Sequence, residues 1–162
     1  MNDFISDTIK LEGGFVDNPA DRGGPTNLGI TLPTLSGFLG RKATVDELKA
    51  ITPEFAHTIY EELYLKKPGI DKIEDETVRA EVFDIAVNSG PRVAIQLFQK
   101  ALGVTSDGIL GPVTLGKAKG RGKLLAFQIL RQRIGDCSFL NRWIRKHTGK
   151  AQEFILVLNA CG

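Results

Sequence analysis

Ile9-Lys10-Leu11-Glu12-Gly13-Gly14-Phe15-Val16 and, after Asp17-Asn18, Pro19-Ala20-Asp21-Arg22-Gly23-Gly24-Pro25-Thr26-Asn27-Leu28-Gly29-Ile30-Thr31 decide how this chain folds. Upstream, Ile5, Thr8, Ile9 and Glu12 follow the i, i+3, i+4, i+7 spacing of one helical face, which predicts a helix over 2–12. That face ends on a carboxylate followed at once by two glycines. An apolar stripe disfavours the charged form of a carboxyl group, the usual way to make a general acid near neutral pH. Residues 13–31 hold five glycines and two prolines in 19 positions, which excludes a helix there. Short extended pieces around Phe15-Val16 and Leu28–Ile30, joined by a long turn, predict a small hairpin.

Working outward, the pattern turns helical. Thr31 caps a short helix near 32–39. Thr44-Val45-Asp46-Glu47 has the spacing of a capping box. Thr52-Pro53 opens a helix with Phe55, Ile59 and Leu63 on one stripe and Ala56, Tyr60 and Tyr64 beside it. Pro68-Gly69 breaks the chain, a candidate end of one lobe. A helix over 76–88 presents Val78, Val82, Ile85 and Ala86 and ends at Asn88-Ser89-Gly90-Pro91. Helices follow at 92–102, after Gly111-Pro112, and over 122–146 and 150–160, with a turn at Asp107-Gly108.

Composition narrows the class. The 162 residues are 42% hydrophobic and 25% charged, those of a globular chain with a real core. No apolar run reaches the roughly 18 residues that a membrane span needs, so no stable membrane insertion is expected. The net charge of +2 hides an asymmetry. Residues 1–116 carry 11 Lys and Arg against 17 Asp and Glu; residues 117–162 carry 10 against 2. An end this basic, from Lys117 through Arg131, Arg142, Arg145, Lys146 and Lys150, suits a solvated helical face or an anionic envelope. It does not suit nucleic acid, because Phe127, Phe139, Trp143 and Phe154 look like core positions rather than stacking platforms.

Other chemistries find little support. His57 and His147 have no Cys or carboxylate partner at metal-ligand spacing, and both read as structural. No serine sits in a G-x-S-x-G elbow. Cys137 and Cys161 form no CxxC; they are read as buried reduced thiols or as a disulfide formed after export. No metal or cofactor is expected.

The quoted stretch, about twenty residues at fixed spacing, resembles the signature of glycoside hydrolase family 108, N-acetylmuramidases with a lysozyme-like fold that include phage endolysins. The resemblance implies a mainly α, α+β lysozyme-like fold, with two helical lobes and a small glycine-rich β-hairpin after the first helix. It implies hydrolysis of the bond between N-acetylmuramic acid and N-acetylglucosamine in peptidoglycan glycan strands by acid/base catalysis, leading to host cell lysis. The family's catalytic glutamate falls on Glu12. Related phage-type lysozymes pair Glu and Asp at E-x8-D, which Glu12 and Asp21 satisfy; Asp17 is the alternative. Thr26, the third catalytic residue that the resemblance implies, stands one residue short of their threonine. Phe15 and Leu28 replace common family tyrosines. Asn27 and Thr31 on the returning strand, and Asn88 in Phe83–Pro91, are candidate sugar contacts; Asn88 also reads as a helix cap. Whether the anomer is inverted or retained depends on a carboxylate separation of roughly 6.5–9.5 Å against about 5 Å.

Residues 94–104 and 107–114, with the pattern L-Q-x-x-L-G-V-x-x-D-G-x-x-G-P-x-T, resemble peptidoglycan-binding helical modules; the plainer reading is a segment that completes the fold. The expected organisation is therefore a catalytic region at 1–90 and a helical C-terminal region at 91–162 packed into the same compact domain. A monomer is expected. Met1-Asn2-Asp3-Phe4 lacks the basic start of a signal peptide. The expectation is synthesis in the cytoplasm and action in the periplasm or wall after release or export. A lytic transglycosylase, or an inactive wall-binding or secretion-associated relative, remains the alternative.

Overall fold

A computed structural model describes residues 3–17 and 24–122, together with 125, 126, 128 and 129. Asp21, both cysteines, and most of the basic C-terminal segment and its two expected helices lie outside the described residues. Among those described, the elements are α1 (Phe4–Glu12), β1 (Thr26–Asn27), β2 (Ile30–Thr31), α2 (Leu32–Leu39), α3 (Val45–Lys49), α4 (Pro53–Tyr60), a π-helical turn (Glu61–Lys66), a 3-10 turn (Ile70–Lys72), α5 (Glu76–Ser89), α6 (Pro91–Leu102) and α7 (Pro112–Ala118). The molecule is mainly helical with one small antiparallel sheet, the expected α+β arrangement.

The helix starts follow their caps. Asp3, Thr31, Thr44, Thr52 and Asp75 each accept a backbone N–H of the first turn they precede. At Thr44 the capping box is complete: Glu47 N–H donates to Thr44 Oγ1 at 3.2 Å and Thr44 N–H to Glu47 Oε2 at 2.8 Å. Arg41 clamps the same carboxylate through both guanidinium nitrogens, at 2.6 and 3.2 Å. That ion pair and the cap hold Glu47 well below the ordinary glutamate range, at about 2.

Two elements differ from expectation. The hairpin is tighter than the long turn suggested. Thr26 pairs with Thr31 and Asn27 with Ile30, and only Leu28-Gly29 lie between. Leu28 (φ 51°) and Gly29 (φ 76°) both adopt left-handed backbone, the requirement of a two-residue hairpin whose twist matches its strands. Val16 joins only by an isolated bridge to Thr26, its N–H donating to Thr26 O at 2.8 Å and its carbonyl accepting at 2.9 Å. The second difference follows α4. The expected stripe continues to Leu63 and Tyr64, but the helix widens into a π turn, closed by Lys67 N–H donating to Glu62 O at 2.9 Å. The five-residue repeat buries Leu65 in the core, while Leu63 and Tyr64 pack against it half-buried.

One hydrophobic cluster runs from Ile5 on α1 through Leu35, Leu48, Ile59, Val82 and Phe98 to Ile129. It continues across Pro68-Gly69 and across Gly90. α5 and α6 pack on each other, with Phe83 and Phe98 almost fully buried.

The pattern that resembles a wall-binding module has a folding explanation. Gln99 is buried at 1% exposure. Its Nε2 donates to Asp107 Oδ1 at 2.7 Å, Ile109 O at 3.0 Å and Thr114 Oγ1 at 3.3 Å. Its Oε1 accepts from Gly108 N–H at 2.8 Å. One amide thus joins α6, the Asp107-Gly108 turn and α7, and the conspicuous residues of the pattern are the partners of a single buried side chain. Gln99→Leu removes the buried amide and takes this partner from the buried Thr114 hydroxyl and the half-buried Gly108 N–H, at about 1–3 kcal/mol each before relaxation. The expected outcome is a loss of about 2–4 kcal/mol in urea unfolding with an unchanged m-value.

Candidate active site

The end of α1 sets the site. Ile5, Thr8 and Ile9 are buried and Glu12, the last helical residue, is half-buried, as the stripe predicts. Thr8 offsets its burial by donating its hydroxyl to Phe4 O at 2.9 Å. Gly13 takes φ 79° and turns the chain out of the helix directly after Glu12.

The hairpin tip closes on this point. A Cβ on Gly29 would lie 2.6 Å from Glu12 Cγ and 3.0 Å from Glu12 Cβ, and would also strike the Tyr60 hydroxyl. Only glycine lets the backbone pass between these two side chains. Tyr60, from the last turn of α4, donates its hydroxyl to Leu28 O at 3.2 Å and so anchors the tip. Its ring sits in an aromatic cluster, 5.6 Å from Tyr64 and 6.3 Å from Phe83, and Phe83 in turn is 5.1 Å from Phe4 on α1. Burial pushes the Tyr60 phenol well above its ordinary range, and the Glu12 charge pushes it further. A neutral hydroxyl therefore stands beside the carboxylate.

The other candidate residues are distributed around this core. Thr26 and Thr31 face each other across the two strands. Thr31 Oγ1 caps α2 through Thr34 N–H at 3.2 Å and pairs with Thr34 Oγ1 at 2.9 Å. Asn27 is buried and donates its amide to Leu48 O at 2.8 Å and Lys49 O at 3.3 Å, which ties the hairpin to α3. Asn88 donates to Asp84 O at 2.7 Å and Asp84 Oδ1 at 3.3 Å, one turn back on its own helix. The cap before Pro91 is Gly90 instead, whose N–H donates to Ala86 O at 2.9 Å. Asp17 is exposed just past the Val16 bridge. Leu11, Phe15 and Val16 are exposed apolar side chains flanking Glu12 in sequence, and Lys49 places its ammonium 5.0 Å over the Phe15 ring.

A cavity of about 540 Å³ opens on the adjoining flank of α1, lined by Ile9, Lys10 and Gly13, by Leu28 and by Pro53 and His57. Glu12 is not in its wall. Among the described residues no three His, Cys, Asp or Glu side chains converge on a metal position, and no helix is long and apolar enough to cross a membrane.

The family model for glycosyl hydrolase 108 matches residues 5–90, the segment from α1 to the start of α6. The chain belongs to glycosyl hydrolase family 108. A solved structure, SagA of Brucella abortus, is 33% identical, covers 94% of this chain and 86% of its own, and superposes with a TM-score of 0.69. No curated protein matches the chain. This family 108 member is a glycoside hydrolase with peptidoglycan as its substrate class.

Tyr60 and Gly29 were not among the residues singled out in the sequence. Tyr60 reads there as a core position, which it also is. Gly29 carried a signal, since Asn27-Leu28-Gly29 ends in the glycine that a two-residue hairpin requires, although Leu28 obscures it.

Two variants test the arrangement. Gly29→Ala must accommodate both left-handed backbone and a side chain where none fits; a loss of more than about 2 kcal/mol is expected in thermal or urea unfolding, together with reduced wall hydrolysis. Tyr60→Phe removes one hydrogen bond, about 1 kcal/mol at neutral pH. The folded state favours the neutral phenol, so its contribution is complete below the ordinary value of 10.0 and is lost as pH rises beyond it. Tyr60→Phe should therefore lose less stability than wild type between about pH 9 and 11. Parallel pH curves for the two proteins would count against the burial of this hydroxyl beside Glu12.

Proposed function

We propose that this chain is an N-acetylmuramidase of the endolysin type, cleaving the glycosidic bond between N-acetylmuramic acid and N-acetylglucosamine. The observation that carries the reading is the position of Glu12: a half-buried residue at a helix end, packed against the Gly29 backbone of the hairpin tip whose other side meets the Tyr60 hydroxyl, in a family of glycoside hydrolases. Glu12 protonates the glycosidic oxygen as the bond breaks. A second carboxylate then positions water or stabilises the oxocarbenium-like transition state. Asp21, at E-x8-D from Glu12, is assigned that role from the resemblance, with Asp17 as the alternative on the same loop.

Two features support a polymeric sugar substrate. Sugars present apolar C–H faces, and Leu11, Phe15 and Val16 offer exposed apolar surface next to the acid. The loop that carries Phe15 and Val16 is rich in glycine, which allows close approach of a chain to the backbone. Thr31 and Asn88 are the polar groups proposed to meet the glycan and Thr26 is proposed to act with the two carboxylates, while the amide of Asn27, the third expected sugar contact, is buried on Leu48 O. The reading implies action in the periplasm or wall after release or export, and the excess of Lys and Arg from Lys117 onward supports attraction to an anionic envelope.

Mass spectrometry of muropeptides released from purified wall tests the reading. Wild type is expected to release products with reducing muramic acid ends, and Glu12→Gln to lose about 10³-fold or more of that activity while unfolding at a similar temperature. Anhydro-muramic ends would identify a transglycosylase instead. No release by wild type would leave a binding protein.

A further inference from the structure

A second cavity, of about 360 Å³, lies away from Glu12, between the end of the π turn, the 3-10 turn, the start of α6 and the Asp107-Gly108 turn. Its charged lining is Lys66, Lys67, Lys72, Arg92 and Asp107. That concentration is unexpected in this part of the chain. Residues 1–116 hold only 11 cationic side chains against 17 acidic ones, yet four of the 11 meet at one cavity.

The local backbone is shaped to bring them there. Lys72 folds over Gly69, its ammonium 3.8 Å from where a Cβ would stand. Arg92 lies against Gly108, its Cγ 2.7 Å from a Cβ position, so any side chain at 108 would displace it. Both glycines have left-handed backbone. Two of the four cations have an acidic neighbour, Lys66 in Glu61 and Arg92 in Asp107, which leaves Lys67 and Lys72. Asp107 Oδ1 already accepts from Gln99 at 2.7 Å and from Ile109 N–H at 2.8 Å. Glu61 pairs with Lys66 at 3.1 Å. Lys67 and Lys72 form no ion pair within the described residues. α6 also starts here without a side-chain cap, adding the positive end of a 12-residue helix.

We propose that this cavity binds the carboxylate-bearing peptide that branches from the muramic acid lactyl group of peptidoglycan. The inference rests on the muramidase reading for its substrate class. Like charges gathered in one cavity repel, and an anion offsets that repulsion. The rest of the wall is apolar: Pro68, Pro91, Ile95, Ile109 and Leu110. A short peptide with methyl and methylene groups beside its carboxylates matches such a lining. A bare phosphate ion matches it less well, since it has no apolar group to lay against that part of the lining.

The test uses the full chain carrying Glu12→Gln, titrated calorimetrically with a synthetic stem tetrapeptide, with the same peptide amidated at its carboxylates, and with inorganic phosphate. The free peptide should bind, weaken with added salt, and bind about tenfold more tightly than its amidated form. Adding Lys67→Gln, Lys72→Gln and Arg92→Gln together should weaken binding about tenfold or more, while Lys100→Gln, an exposed lysine of α6 outside the cavity, should leave it unchanged. On wild-type Glu12, the triple substitution should raise KM for peptide-bearing glycan and leave peptide-stripped glycan unaffected. No peptide binding, equal binding by the triple variant, or displacement of the peptide by equimolar phosphate would overturn the proposal. Because peptide binding needs no bond cleavage, a failure of the muramidase reading would appear separately, in the muropeptide products.

Discussion

The rest of the site depends on one close approach, the passage of the Gly29 backbone between Glu12 and the Tyr60 hydroxyl. Three separate elements must agree for it to occur. α1 has to end at Glu12, which Gly13 ensures by turning the chain. The hairpin has to reverse in two residues, which the left-handed pair Leu28-Gly29 provides. α4 has to deliver Tyr60 at its last turn, where the aromatic cluster with Phe83 and Tyr64 fixes the ring. A change in any one displaces the carboxyl relative to the hairpin, and chemistry that depends on a positioned acid is sensitive to such displacements.

Leu28 shows that the turn is held at some cost. A two-residue hairpin of this kind prefers asparagine or glycine at the position Leu28 occupies. Leu28 nevertheless packs against the core, lines the cavity beside α1, and offers its carbonyl to Tyr60. Burial of an apolar side chain, worth about 1.5–3 kcal/mol when complete, is of the size needed to offset one residue of left-handed strain at roughly 1–3 kcal/mol. The tertiary contact, rather than the turn preference, decides the residue.

Much of the fold was legible because it is written in local chemistry. Thr31, Thr44 and Thr52 announce their helices by the first-turn N–H groups they accept, and Pro53, Pro91 and Pro112 mark first turns where a missing N–H costs nothing. The Ile5, Thr8, Ile9, Glu12 face was legible from periodicity alone. The π turn was not. Its signal is a change of repeat after Tyr60, and Leu63, Tyr64 and Leu65 are all apolar enough to satisfy either register. The hairpin was foreseen in kind and misplaced in register, because Val16 and Thr26 do meet but only at one bridge. At the candidate site, the position of Glu12 at the end of the buried face was legible and that of the Tyr60 hydroxyl was not, since a tyrosine on a core stripe gives no sign of which side chain its hydroxyl will stand beside.

The Gln99 network bears on how the C-terminal region is to be understood. A pattern shared with wall-binding modules invites the inference that its distinctive residues touch the wall. Here they touch one another: Asp107, Gly108 and Thr114 are the hydrogen-bond partners of a glutamine at 1% exposure. Residues consumed in this way specify a fold, and the fold specifies only where other side chains stand. Affinity, where present, has to reside in what the network displays. The turn it fixes carries Gly108, which lets Arg92 lie close, and Ile109, which remains 68% exposed at the edge of the cationic cavity. The same buried amide that makes the pattern recognisable therefore also holds the cavity's rim in place, although it touches no ligand itself.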